Sequence, residues 1–207
     1  MPLQHINDRM LKMMNRRHTR AETEAIIARL RGAMPGLVLR TTFIVGFPGE
    51  TEEEFEELLA YVQATRFERL GVFPYSFEPD TPAARLPGHL GDEIKDTRRD
   101  CVMAAQQEIA FEFNRSLVGR RLDVLIDGPA PEGKNLWLGR TYADAPDVDG
   151  LTFVRGAHLE PGDLVDCEVV GSEGYDLIAQ ADAAPPRRRK VRPRGRKKPA
   201  SPFTILS

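Results

Sequence analysis

Residues 40–59 read "RTTFIVGFPGETEEEFEELL". A β-branched apolar run meets a break made of Gly46, Pro48 and Gly49, and six glutamates then fall within residues 50–57. The juxtaposition makes sense if a buried strand ends at the break and a helix begins just beyond it. Thr51 and Glu54 have the spacing of a capping box. Glu52, Glu53 and Glu54 fill the first turn, where the positive end of the helix dipole favours carboxylates by about 0.3–1 kcal/mol each. Phe55, Leu58, Leu59 and Val62 follow on one face at helical spacing. The preceding run, "LVLRTTFIVGF" (37–47), is nearly continuous in apolar character, which predicts a strand buried on both sides.

The same alternation extends outward. Residues 8–17 and 20–34 read as helices, the second with Thr19 and Glu22 at capping-box spacing and Ile26, Ile27, Leu30 and Met34 marking one face. "RLGVFPYSF" (69–77) is a second buried strand. Helix, strand, helix, strand is the parallel α/β pattern, with function expected at the C-terminal ends of the strands. A Pro-rich loop (78–88) leads to a long helix over 91–116, with apolar positions Ile94, Cys101, Ala105, Ile109 and Phe113. Beyond it lie five short strands with Gly, Pro and Asp turns: 121–127, 136–142, 151–154, 164–170 and 175–180. In the fourth, Val165, Cys167 and Val169 alternate with Asp166 and Glu168. Five such strands in so short a span predict a small barrel.

Composition narrows the classes. The chain has 207 residues, 41% of them apolar, enough for one or two cored domains. It has no run of 18 apolar residues, so no membrane span is expected. The N-terminal "MPLQHINDRM" lacks the layout of a secretory signal. Two cysteines, Cys101 and Cys167, make neither a disulfide framework nor a metal knuckle, so a reducing, cytoplasmic setting is expected. The net charge of −2 conceals an asymmetry: "RRRKVRPRGRKK" (187–198) holds nine Lys or Arg and no acid. The tail over 183–207 is expected to be disordered, and the remainder is acidic, a poor generic binder of nucleic acid.

Several residues stand where chemistry would be sited. "IVGFPGE" puts glycines at a strand end before a helix, where backbone can approach a ligand; alone it reads first as a tight strand-to-helix turn. "PLQH" offers Gln4 and His5, and "VFPYSF" offers Phe73 and Tyr75 near a strand end. Taken together, "PLQHINDRMLKMMNRRHTRAET", "RTTFIVGFPGETEEEF" and "GVFPYSFEPDTPAA" resemble the radical S-adenosylmethionine methylthiotransferases in order and spacing, and the small barrel resembles the TRAM domain that ends those enzymes. The resemblance covers about residues 1–181. "GRTYADAPDVDG" (139–150) is similar to the branch that modifies an aspartate of a ribosomal protein.

The resemblance implies a fold of two parts. The first is part of a radical-enzyme, TIM-like parallel barrel over 1–90. A linking helix over 91–117 joins it to an OB-like five-stranded TRAM barrel over 118–182. It implies S-adenosylmethionine and two [4Fe-4S] clusters as cofactors, with cleavage to a 5′-deoxyadenosyl radical and an electron donor. The family's Cys-x3-Cys-x2-Cys motif is absent from this chain. The chain is therefore expected to be the C-terminal part of such an enzyme, with no metal ligand or catalytic residue of its own, and to be inactive alone. Gln4 and His5 fall where a family strand meets the ribose or methionine part of the cofactor. Ile44, Gly46 and Glu50 match the pattern Gly-x-Ile-x-Gly-x3-Glu, with Thr42 in place of its first Gly; Phe47 and Pro48 lie in the same turn. Phe73 and Tyr75 are expected to complete an adenine wall, and Arg40 to face a carboxylate of cofactor or substrate, or else a strand-end salt bridge. Asp144, Asp147 and Asp149 crowd one loop that suits a basic protein substrate, although Asp also shapes turns. The expected partner is a small-subunit ribosomal protein or the ribosome, with ribosomal RNA contact through residues 187–198. The alternatives are transfer-RNA adenosine methylthiolation and a non-catalytic ribosome-binding module.

Overall fold

The computed structural model describes residues 2–182. The cationic stretch 187–198 lies outside them.

Each helix of the first half begins where a side chain satisfies its free N–H groups. Asn7 caps α1 (Asp8–Met13) by accepting from the amides of Arg9 and Met10. α2 (Arg20–Ala33) and α3 (Glu52–Thr65) both open with complete capping boxes, Thr19 with Glu22 and Thr51 with Glu54. α3 ends at Arg66, in the left-handed conformation. There the Arg31 guanidinium donates to the carbonyls of Thr65 and Arg66 at 2.6 and 2.9 Å, placing a cation at the negative end of the helix.

β1 (Arg40–Val45) and β2 (Arg69–Pro74) pair in parallel, Phe43 against Val72 and Ile44 against Phe73. The Gln4 backbone bridges to β1 from the other side, donating to the Thr42 carbonyl and accepting from the Ile44 amide. One face of this sheet packs on the helices. Phe43 and Val45 are fully buried there with Leu58, Val62 and Val102, and Phe67 lies edge-on to Phe43 at 5.9 Å. Each such side chain contributes about 1.5–3 kcal/mol. Among the described residues the opposite face is not covered: Thr42 and Ile44 are half-buried and Phe73 is 60% exposed. This corrects the expectation of strands buried on both sides, because among the described residues two strands and a bridge present their second face to no other layer.

α4 (Asp92–Leu117) is the long helix expected, yet its buried stripe differs from the apolar positions read in the sequence. Ile94 and Cys101 are exposed, whereas Lys95, Arg98, Gln106 and Asn114 are buried between Val102, Ile109, Ala110 and Leu117. Two of these polar side chains bond to neighbouring backbone: the Gln106 amide donates to the Phe67 carbonyl at 3.0 Å and that of Asn114 to the Tyr175 carbonyl at 2.9 Å.

The remaining strands are β3 (Arg121–Pro129), β4 (Leu136–Arg140), β5 (Thr152–Arg155), β6 (Leu164–Glu173) and β7 (Asp176–Ala181). They close a barrel in the order β3-β4-β5-β7-β6 around Val124, Ile126, Val154, Val165, Cys167 and Ala179. Gly139 permits the β3–β4 approach, since a Cβ there would stand 2.6 Å from the Leu125 carbonyl oxygen. The barrel loop 141–150 reaches back to the first half. Asp144 pairs with Arg69 at 2.6 Å, Asp149 pairs with Arg40, and the Tyr142 hydroxyl donates to the Gly36 carbonyl at 3.0 Å.

Candidate functional site

The C-terminal end of β1 is organised by one carboxylate. Glu50, in the turn after the strand, has a fully buried side chain. Its Oε2 accepts the Gly46 amide at 2.5 Å and the Arg98 Nη1 at 2.6 Å. Its Oε1 lies 3.1 Å from Nε2 of His5, itself fully buried. The His5 Nδ1 accepts the Asn7 amide at 3.0 Å. A ring accepting at Nδ1 carries its proton on Nε2, so His5 donates to Glu50. A buried charge is tolerable only when paired and hydrogen-bonded, and Glu50 is both.

Around this centre the backbone is tightly drawn in. Gly46 has φ +72, and a Cβ there would stand 2.4 Å from Cγ of Lys95. The Gly49 amide donates to the Gly88 carbonyl at 2.8 Å, so the end of the Pro-rich loop closes on the glycine turn. Tyr75 follows β2 and donates its amide to the Val45 carbonyl at 2.9 Å. Its ring meets Phe47 edge-on at 5.2 Å and stands 5.7 Å from Nζ of Lys95, while Phe77 meets His89 at 5.3 Å.

The structure thus brings Gln4, His5, Ile44, Gly46, Phe47, Pro48, Glu50 and Tyr75 to one end of the sheet, while Phe73 stands on the uncovered face beside them. It does not bring Arg40 there. That residue starts β1, roughly 20 Å along the strand from Gly46, and is engaged by Asp149. Asp144 and Asp149 are likewise committed internally: Asp144 also accepts from the Thr141 hydroxyl at 2.6 Å, and Asp149 from the Ala145 amide at 2.6 Å. Asp147 occupies a left-handed turn position, φ 62. Burial together with the neighbouring Arg69 cation pulls the Arg40 guanidinium below its ordinary pKa.

Sequence reading missed Lys95 and Arg98. Their signal was spacing: 95, 98, 102, 106 and 109 form one helical stripe, and two of its members, Val102 and Ile109, are apolar. Cations heading a buried stripe are expected to have a carboxylate waiting.

The edge suits the nucleoside part of S-adenosylmethionine. It offers two aromatic rings, an apolar strand end, a glycine turn for close backbone approach, and a buried Tyr75 hydroxyl with no hydrogen-bond partner among the described residues. It does not suit an iron–sulfur cluster. Cys101 is exposed on α4, Cys167 is inside the barrel, and no group of three or more His, Cys, Asp or Glu among the described residues is placed to hold a metal.

Comparison with known proteins matches two separate parts of the chain. Residues 1–62 match the radical SAM superfamily and residues 118–181 match the TRAM domain. The chain is 47% identical over 188 residues to the ribosomal protein uS12 methylthiotransferase RimO of Anaeromyxobacter sp. (strain Fw109-5), covering 91% of this chain and 40% of the relative. It is 46% identical over 179 residues to RimO of Geotalea uraniireducens (strain Rf4), covering 86% and 40%. It is 44% identical over 191 residues to RimO of Myxococcus xanthus (strain DK1622), covering 92% and 40%. The chain therefore spans about 40% of the length of these curated relatives. The chain is thus similar to the radical SAM superfamily over residues 1–62, to the TRAM domain over residues 118–181, and over nearly its whole described length to part of the relatives named as ribosomal protein uS12 methylthiotransferases.

Proposed function

We propose that the chain supplies the cofactor-supporting edge and the TRAM domain of a radical methylthiotransferase that adds a methylthio group to the β-carbon of an aspartate in ribosomal protein uS12. The observation that carries this reading is the Glu50 carboxylate, which ties the Gly46 turn and the His5 strand end into one rim at the C-terminal end of a parallel sheet. S-adenosylmethionine with its iron–sulfur cluster supplies the radical chemistry when bound; the cysteines of this chain are not placed to hold that cluster. Ile44, Phe47, Pro48 and Tyr75 form an apolar support for an adenine ring, and Gln4 faces the ribose or methionine part, with His5 buried behind it and engaged by Glu50 and the Asn7 amide. The TRAM part, with thirteen acidic residues against five Lys or Arg over 118–182, suits a basic ribosomal protein better than phosphate. An electron donor, a cytoplasmic setting and ribosomal RNA contact through 187–198 belong to the same proposal.

The test is co-expression with the part of the Anaeromyxobacter relative that this chain does not cover, in cells lacking their own uS12 methylthiotransferase. Peptide mass spectrometry should find one methylthio group on an aspartate of uS12. Unmodified uS12 together with newly methylthiolated transfer RNA would overturn the reading.

A further inference from the structure

The geometry points to Arg98, assisted by Lys95, as a positioning residue for the cofactor edge, so that the helix leading to the TRAM domain shapes the Gly46 turn. The consequence for S-adenosylmethionine rests on the proposed function; the positioning itself does not.

Arg98 is a poor candidate for mere packing. Its side chain is 6% exposed, and its two terminal nitrogens take different carboxylates. Nη1 reaches Glu50 Oε2 at 2.6 Å and the Glu50 carbonyl at 3.3 Å; Nη2 reaches Glu52 at 2.7 Å. The guanidinium carbon lies 5.1 Å from the Phe55 ring centroid, so the planar fork is held from the side as well. With Nη2 held by Glu52 and the plane held against Phe55, Nη1 is fixed in place beside Glu50, as a freely rotating ammonium would not be. The orientation matters here because the same Glu50 oxygen that Arg98 holds receives the Gly46 amide. Were Glu50 free to rotate, that amide would lose its acceptor and His5 its partner together.

Lys95, one turn earlier on α4, limits the same turn sterically. Its stem covers Gly46, and its ammonium, bonded to Asp92 at 2.9 Å, stands near the Tyr75 ring. Two side chains from one helix thus fix the two sides of the glycine turn, one by hydrogen bonding through Glu50 and one by contact.

The test uses the full 207-residue chain with Arg98→Met, Arg98→Lys, Glu50→Gln and the exposed control Arg99→Met. The readout is the Gly46 amide by NMR, both its proton shift and its hydrogen exchange. In the parent chain the proton is expected far downfield, as befits a short bond to a carboxylate. Arg98→Met and Glu50→Gln should each move it upfield and speed its exchange about tenfold or more, with the TRAM amides of Val165 and Cys167 unchanged. Arg98→Lys keeps the buried cation, preserves the fold where Arg98→Met does not, and should give an intermediate shift. Arg99→Met should change nothing. An unaltered Gly46 amide in folded Arg98→Met or Arg98→Lys overturns the inference. In the co-expressed enzyme, Arg98→Lys should raise KM for S-adenosylmethionine more than it lowers kcat. A parent enzyme with no methylthiolation at all would count against the proposed function while the amide result still decides the role of Arg98.

Discussion

Arg69 and Asp144 are 75 positions apart in the chain and form an ion pair at 2.6 Å, with side chains 6% and 4% exposed. One starts β2 and the other sits in the loop after β4, so this pair fastens the TRAM barrel to the α/β half. Asn114 of α4 adds an acceptor to Arg69 at 3.3 Å. Losing one partner strands the other as a buried, unpaired charge. Asp144→Ala should therefore cost about 3–5 kcal/mol, while the paired change Arg69→Met with Asp144→Leu should recover most of it. Urea denaturation followed by the single Trp137 would measure both.

Gly46→Ala should be costly for two separable reasons. Any L residue at φ +72 pays about 1–2 kcal/mol, and the new Cβ meets Lys95 Cγ. Adding Lys95→Ala should relieve the contact at Cγ but leave the backbone cost. A thermal melt of the double variant should fall between parent and single variant; a double variant no better than Gly46→Ala alone would assign the whole cost to the backbone.

Acid should loosen the start of α3 in a defined direction. Burial opposes ionisation of Glu54, but hydrogen bonds from Arg9 and from the Thr51 backbone outweigh it, leaving the carboxyl below its ordinary pKa. A depressed folded value gives stability that is present above the unfolded value of about 4.3 and lost as pH falls through the folded one. Arg9→Ala should lower the urea midpoint at neutral pH by the equivalent of about 0.5–1 kcal/mol. The gap between variant and parent should narrow as pH falls through the depressed Glu54 value, leaving only what the Arg9 bond to the Gly49 carbonyl contributes.

The cysteines should differ sharply toward a thiol reagent. Cys167 is fully buried, and burial with the nearby Asp166 and Asp182 charges pushes its thiol up to about 12. Cys101 is exposed. Since the thiolate is the reactive form, native chain at about pH 8 should be labelled at Cys101 alone, and urea-unfolded chain at both. Native labelling of Cys167 would mean that the barrel opens.

What was legible in the sequence was what depends on local rules. Thr19 with Glu22 and Thr51 with Glu54 announced their helices because a capping box is a local, four-residue device. The inward alternation of Val165, Cys167 and Val169 announced a barrel strand because the pleat has period two. The resemblance brought Gln4, Gly46 and Tyr75 to one end of the sheet before any coordinates did. What could not be read was pairing over distance. Asp144 and Asp149 look like a free acidic loop until Arg69 and Arg40, far away in the chain, are folded against them. Arg98 looks like a surface cation on a helix until Glu50 is placed beneath it.

α4 is pinned near both extremities, at Arg98 by the carboxylate beneath it and at Asn114 by the carbonyls of Gly174 and Tyr175. Each residue added to an α-helix rotates whatever follows by about 100° and advances it about 1.5 Å. A one-residue insertion between those pins would turn one of them to the wrong side of the rod. The number of residues separating them is therefore a phase constraint, and related chains that keep both pins should vary in sequence along this helix far more readily than in length.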